Sequence, residues 1–177
     1  MKSFKKAQGM PVATLAEGAL VGKFDDFQFD LETGRVYGAR LKQGVFSKTG
    51  GVPASALVRL GRDLVYVTAE AAIEWTGAAR GHAEGRTWAS EYKGTKVMSR
   101  RGAGLGSVED FLIALEPPRV TALLLDGGRV VVFDDRVAVG RDTVILSDPA
   151  VAVSRPEGDE DSGDWWSRVR GMFESEK

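Results

Sequence analysis

At 177 residues and 19.1 kDa, with 43% hydrophobic residues, the chain is large enough to bury the core of one ordinary domain or two small ones, which excludes disorder throughout. Lys and Arg number 24 against 25 Asp and Glu, and a net charge of -1 lacks the positive field that non-specific nucleic-acid binding needs. With no Cys and His82 as the single histidine, thiol nucleophiles, disulfides, zinc-thiolate sites and His-pair metal sites are excluded.

The chain opens with Lys2, Lys5 and Lys6, followed by Ala7-Gln8-Gly9 and not by an apolar stretch. No run approaches the roughly 20 apolar residues of a membrane span, so the expectation is a cytoplasmic protein. Apolar residues then come in short runs between turn signals, the spacing of strands. Phe27 to Leu31 alternates strictly, and Val36 to Leu41, Leu64 to Val67, Ala122 to Leu125, Val130 to Phe133 and Val144 to Leu146 follow. Thr33-Gly34, Gln43-Gly44, Gly61-Arg62-Asp63, Asp126-Gly127-Gly128 and Gly140-Arg141-Asp142 supply turn chemistry, including residues that tolerate positive φ. Mainly antiparallel hairpins are predicted. Ala69 to Tyr92 reads as a partly ordered linker with a helical turn or two at Ala69 to Trp75. The fold is expected to end near Val153, where the acidic stretch Arg155 to Asp164 begins.

Laid over itself, the chain repeats: Gly9 to Val67 matches Gly94 to Leu146. Gly18 to Phe29 aligns without a gap on Gly102 to Ile113, Val36 falls on Val120, and Leu60-Gly61-Arg62-Asp63 falls on Val139-Gly140-Arg141-Asp142. Both copies break phase at the same place. Phe24 and Phe27 cannot share a face of a regular strand, nor can Val108 and Phe111, which predicts β-bulges at Asp25-Asp26 and Glu109-Asp110.

Gly9-Met10-Pro11-Val12, Gly18 to Phe29, Asp30, Thr33-Gly34-Arg35-Val36, Val52-Pro53 and Gly61-Arg62-Asp63 together resemble the PRC-barrel family, named after the cytoplasmic domain of the photosynthetic reaction-centre H subunit. The second copy keeps the glycines, Glu109-Asp110 and Gly140-Arg141-Asp142. It carries Pro117-Pro118 in place of Thr-Gly and lacks the Val-Pro. The resemblance implies an all-β chain of two tandem six-stranded barrels and members that bind proteins without common catalytic residues. The expected organisation is a first barrel at 1–76, a linker at 77–87, a second barrel at 88–150, and an acidic linker with an amphipathic tail helix at 151–177.

Each candidate site has a competing structural reading. Gly102 to Ser107, after Arg100 and Arg101, looks like a phosphate-cradling loop, but the equivalent of Val108 to Leu115 is a strand, where a dinucleotide fingerprint needs a helix. A turn is therefore expected. Asp25-Asp26 and Glu109-Asp110 sit at the bulges, where carboxylates accept backbone N–H groups that an irregular ladder frees. His82 stands alone between charged neighbours, and Trp75 and Trp88 are expected to pin the linker to the barrels. No catalytic, cofactor or metal site is expected.

The tail is the strongest candidate for recognition. At about 100° per residue, Trp165, Trp166, Val169, Met172 and Phe173 occupy a stripe of roughly 120°, flanked by Arg168 and Arg170. These residues are expected to dock on protein, the chain's own barrels or a partner, in preference to lipid. The expected function is that of a non-enzymatic cytoplasmic scaffold that binds a protein partner, with peripheral association at the inner membrane face as an option and direct nucleic-acid binding disfavoured. The alternative, carried by the family resemblance alone, is an accessory factor in ribosome maturation or RNA metabolism.

Overall fold

A computed structural model describes residues 1–45, 48–75, 85–147 and 152–154. In chain order, β1 (Lys2–Ser3) and the helical turn α1 (Phe4–Ala7) precede β2 (Pro11–Thr14), β3 (Leu20–Asp30), β4 (Val36–Gln43), β5 (Lys48–Pro53), β6 (Leu57–Leu60) and β7 (Val65–Val67). The second repeat opens in the same way, with β8 (Arg86–Trp88) and α2 (Ala89–Tyr92). It continues through β9 (Lys96–Ser99), β10 (Gly104–Leu115), β11 (Pro118–Leu125), β12 (Arg129–Val132), β13 (Val137–Val139), β14 (Thr143–Leu146) and β15 (Ala152–Ser154). One sheet has the order β5-β4-β3-β2-β7-β6 and the other β13-β14-β9-β10-β11-β12-β15. The chain is thus two tandem, barrel-like β halves.

Pairing is antiparallel except where β2 meets β7 and β9 meets β14, the same position in each repeat. The shared phase break is a shared bulge: register slips between Phe24 and Asp26 on β3 and between Val108 and Asp110 on β10. Each long strand slips again at equivalent residues, between Gln28 and Phe29 and between Leu112 and Ile113. Gly61 and Gly140 are not in the positive-φ region. Gly61 serves instead by close approach, because a Cβ there would lie 2.7 Å from the Leu64 carbonyl oxygen.

The halves are interlocked. β8, from the start of the second repeat, pairs with β3 of the first, while β1 pairs with β10 of the second. Each helical turn follows its strand across, and one hydrophobic cluster contains residues of both halves. At its centre Phe4 lies 5.1 Å from Phe27 and 6.2 Å from Phe111, centroid to centroid. The repeat-equivalent pair Phe27 and Phe111 meet edge to face at 5.8 Å, a favoured aromatic geometry. Phe29 completes the group, 5.5 Å from Phe111 and 5.7 Å from Tyr92.

Several segments depart from the sequence reading. Ala69 to Trp75 holds only a short 3-10 turn at Glu70–Ala72, after which Glu74 bridges to Gly51. Arg86 to Tyr92 is a strand and helical turn built into the first half, because Trp88 pairs with Gln28 and stacks on the Arg40 guanidinium at 4.8 Å. The second sheet runs past the barrel bound at 150 and ends at Ser154 through the pairing of β15 with β12, in agreement with a fold that ends near Val153. The expected tail helix lies outside the described residues, and no helix among the described residues is long and apolar enough to cross a membrane.

Because Phe4 is fully buried in a cluster that both halves share, Phe4→Ala is expected to cost about 3–5 kcal/mol. Amide hydrogen exchange should show lost protection in β10 and β11 as well as in β3 and β4. Loss confined to one half would contradict a common core.

Candidate functional site

Trp165, Trp166, Arg168, Val169, Arg170, Met172, Phe173 and His82 lie outside the described residues. The glycine loop after Arg100 and Arg101 is a turn: Gly102 N–H donates to the Ser99 carbonyl at 2.9 Å, Ala103 N–H donates to Ser99 Oγ at 3.1 Å, and β10 follows directly. Trp75 lies against β5, where a Cβ on Gly50 would come within 2.7 Å of its ring. Among the described residues no three His, Asp or Glu side chains are grouped so as to hold a metal ion.

The acidic pairs have distinct roles at each bulge. Asp26 is fully buried. It accepts the Phe27 N–H at 2.9 Å from its own bulge and, from α2, the Ser90 N–H at 3.2 Å and the Ser90 hydroxyl. Asp110 does the same for α1, accepting the Lys5 N–H at 2.9 Å and the Ser3 hydroxyl. Each carboxylate therefore satisfies the free N–H groups of a helical turn that belongs to the other repeat. Asp25 points the other way, to Lys42 at 2.7 Å and to Arg40, whose guanidinium also reaches Asp26 at 3.4 Å. Burial pushes the Asp26 pKa above its ordinary value in spite of these donors. Burial acts on Asp25 in the same sense, but its hydrogen bonds and charge contacts with Lys42 and Arg40 outweigh it and hold the pKa below 3.8.

A recess lies at the seam between the halves, where the repeat-equivalent Arg35 and Arg119 form an antiparallel bridge and Val120 N–H donates to the Gly34 carbonyl at 2.8 Å. Its origin is a difference between the repeats. Pro53 sits opposite Gly38 and Val132 opposite Ala122, so Ala54 is the counterpart of Phe133. The Phe133 ring packs against Gly34, where a Cβ would come within 3.0 Å of it. At the matching place in the other half a methyl group replaces the ring. The space left is about 510 Å³, lined by Ala54, Ser55, Pro117, Pro118, Arg35 and Arg119. Arg119 donates to the Phe133 carbonyl at 3.3 Å, and its Nε is buried without a hydrogen-bond partner among the described residues. An apolar floor with two guanidinium groups suits a flat or apolar side chain next to a carboxylate. The alignment of Val36 on Val120 already placed Arg35 on Arg119, but their contact, and Ala54 facing Pro118, required the register.

A family model described as PRC-barrel domain matches residues 1–72 and 88–153. No curated protein gives a significant match.

Since Asp25 is favoured in its ionised form by the fold, the stability it contributes is complete above 3.8, its ordinary pKa, and is lost as the pH falls below that value. Asp25→Asn should therefore destabilise by about 1–3 kcal/mol near neutral pH, a gap that closes in acid. Urea denaturation of both proteins across that range checks it, and a gap independent of pH would refute the ion-pair account.

Proposed function

The chain belongs to the PRC-barrel domain family in both of its halves, and on that premise we propose that it is a non-enzymatic scaffold of the cytoplasm that binds a protein partner through Trp165 to Phe173. The observation that carries this reading is the tail's apolar stripe. A nine-residue helix is too short to persist alone, and Gly171 inside it costs roughly 1 kcal/mol more, so its helix forms where the stripe is covered. Burying two tryptophans, Val169, Met172 and Phe173 at about 25 cal/mol per Å² contributes several kcal/mol toward that ordering. Arg168 and Arg170 extend their stems along the covered edge and keep their charges at the rim.

Charge favours a protein surface over an anionic membrane. Residues 155–177 carry four basic and seven acidic side chains, a net -3 that anionic lipid repels. The interlocked halves support the scaffold role, because a shared core holds surfaces of both repeats in fixed relation. The recess at Arg35 and Arg119 offers such a partner a second foothold for an aromatic or acidic side chain.

With the full chain as bait in a lysate, Trp166→Ala combined with Phe173→Ala is expected to lower recovery of the tail-dependent partner at least about tenfold, with the thermal transition of the barrels unchanged. If every captured protein is recovered equally by the double variant, the tail is not the binding element. Tryptophan fluorescence against anionic vesicles is expected to show no blue shift, and a strong shift that survives high salt would place the tail on lipid instead.

A further inference from the structure

The seam holds two cations that the fold does not neutralise. Arg35 immediately precedes β4 and Arg119 is the second residue of β11, and the two are direct cross-strand neighbours in an isolated antiparallel bridge. Residues paired in this way lie about 5 Å apart between Cα atoms and share one face, where like charges repel. Neither guanidinium forms an ion pair among the described residues. Arg35 lies over the Tyr37 ring at 5.3 Å, and the Arg119 side chain donates one hydrogen bond, from Nη2 to the Phe133 carbonyl at 3.3 Å. A guanidinium carries five N–H donors, so most of that capacity is unused.

The second repeat lacks the acid that could serve here. Asp30 N–H donates to the Arg35 carbonyl at 2.9 Å, so these two residues face each other across the first hairpin. The matching pair in the second hairpin is Ala114 and Arg119. A methyl group stands where the first repeat has a carboxylate, while the arginine is kept. Asp30 does not supply the missing charge, because its Oδ1 is taken up by its own turn. It accepts the Thr33 N–H and hydroxyl, both at 2.8 Å, and the Glu32 N–H at 3.1 Å.

The shape of the recess adds a second requirement. Val36, Ala54, Pro117 and Pro118 make its apolar surface, and the place above Ala54 is the one that the Phe133 ring fills in the other half. Thr33, Arg35, Ser55 and Pro117 are exposed along its rim, so it is open to solvent. Sites for free small molecules bury most of the ligand surface, whereas an open recess beside two cations suits side chains that project from a larger molecule.

We infer that the seam recess binds an acidic side chain of a protein partner together with an adjacent aromatic one. The carboxylate joins Arg35 and Arg119, and the ring lies above Ala54 against Pro117 and Pro118. This rests on the reading of the chain as a binder of a protein partner and adds what that partner carries. Charge complementarity supports the carboxylate, since one shared anion replaces the repulsion of the arginine pair by charge-assisted hydrogen bonds to both. The missing ring supports the aromatic neighbour, because the second repeat fills the equivalent place with Phe133.

The test is a titration of the nitrogen-15-labelled full chain with the N-acetylated, C-amidated peptide Gly-Ser-Glu-Trp-Ser-Gly. Backbone amide shifts are expected to centre on residues 34–36, 54–56 and 119–121, with a Kd below about 1 mM. Peptides with Gln for Glu or Ala for Trp should each bind at least about tenfold more weakly. Arg119→Gln should weaken binding by a similar factor, and Arg119→Lys, which keeps the charge without the fork, by less. Ala54→Phe installs the ring of the second half and leaves both arginines in place, so it should abolish binding without lowering the thermal transition, whether or not the arginine variants fold. Absence of binding, shifts centred on another surface, equal affinity for the Gln peptide, or unchanged binding by Ala54→Phe overturns the assignment. So does tighter binding of 3-phenylpropionate, which would make the recess a site for a free small acid, or of inorganic phosphate, which would make it a phosphate site. If the peptide fails to bind but Trp166→Ala with Phe173→Ala still loses the partner, the proposed function stands without this recess. If the peptide binds as expected and partner capture ignores the tail, the recess stands and the tail reading falls.

Discussion

Asp26 and Asp110 each sit at the bulge of one long strand and hold the helical turn that opens the other repeat. Neither component is stable without its counterpart. A four-residue helical turn leaves its N–H groups unpaired and is far too short to nucleate alone, while a buried carboxylate requires donors to offset its desolvation. The bulge turns the carboxylate toward the turn, and the turn carries β1 or β8 onto the edge of the opposite long strand. The aromatic centre follows from this arrangement, because Phe4 and Tyr92 ride on those turns and meet Phe27, Phe29 and Phe111 only once they are in place.

Joining two repeats in one chain frees each from matching its own image. In a symmetric dimer a residue near the axis must pack against a copy of itself. Here the volumes are traded: Phe4 and Ala7 on the first turn correspond to Ala89 and Tyr92 on the second, so the large side chain comes first in one and last in the other. The exchange of Phe133 for Ala54 opens the seam recess on one side only, and the outward sheet face is polar in one half and apolar in the other. The repeats therefore disagree at the opening turns, at the seam and on the outward sheet face.

The duplicated pattern made the barrels, the hairpins and both bulges legible, because alternation and its interruption are local properties that a strand cannot hide. The role of the paired acids was half legible: a bulge frees N–H groups, and Phe27 N–H does go to Asp26, but the donors from Ser90 and Lys5 come from the opening turn of the other repeat. Alternation says which face a strand buries and nothing about which long strand it joins. Arg86 to Trp88 therefore read as linker, although Trp88 and Tyr92 already had the apolar mass of a packed element. The recess was hidden for a related reason, since a missing ring is visible only once the register shows which residue ought to have supplied it.

The exchange of leading strands also dictates an order of events during synthesis. Ser3 is made 107 residues before its carboxylate acceptor on Asp110, and β3 waits for β8 to complete its edge. At about 5–20 residues per second the ribosome leaves that edge open for several seconds. In that interval the first half is an open-sided sheet with an aromatic interior, and the edge that awaits β8 is the same edge another nascent chain could fill with its own. A molecule whose finished form closes every such edge between its two long strands thus passes through a stage in which fidelity depends on neighbouring chains staying apart.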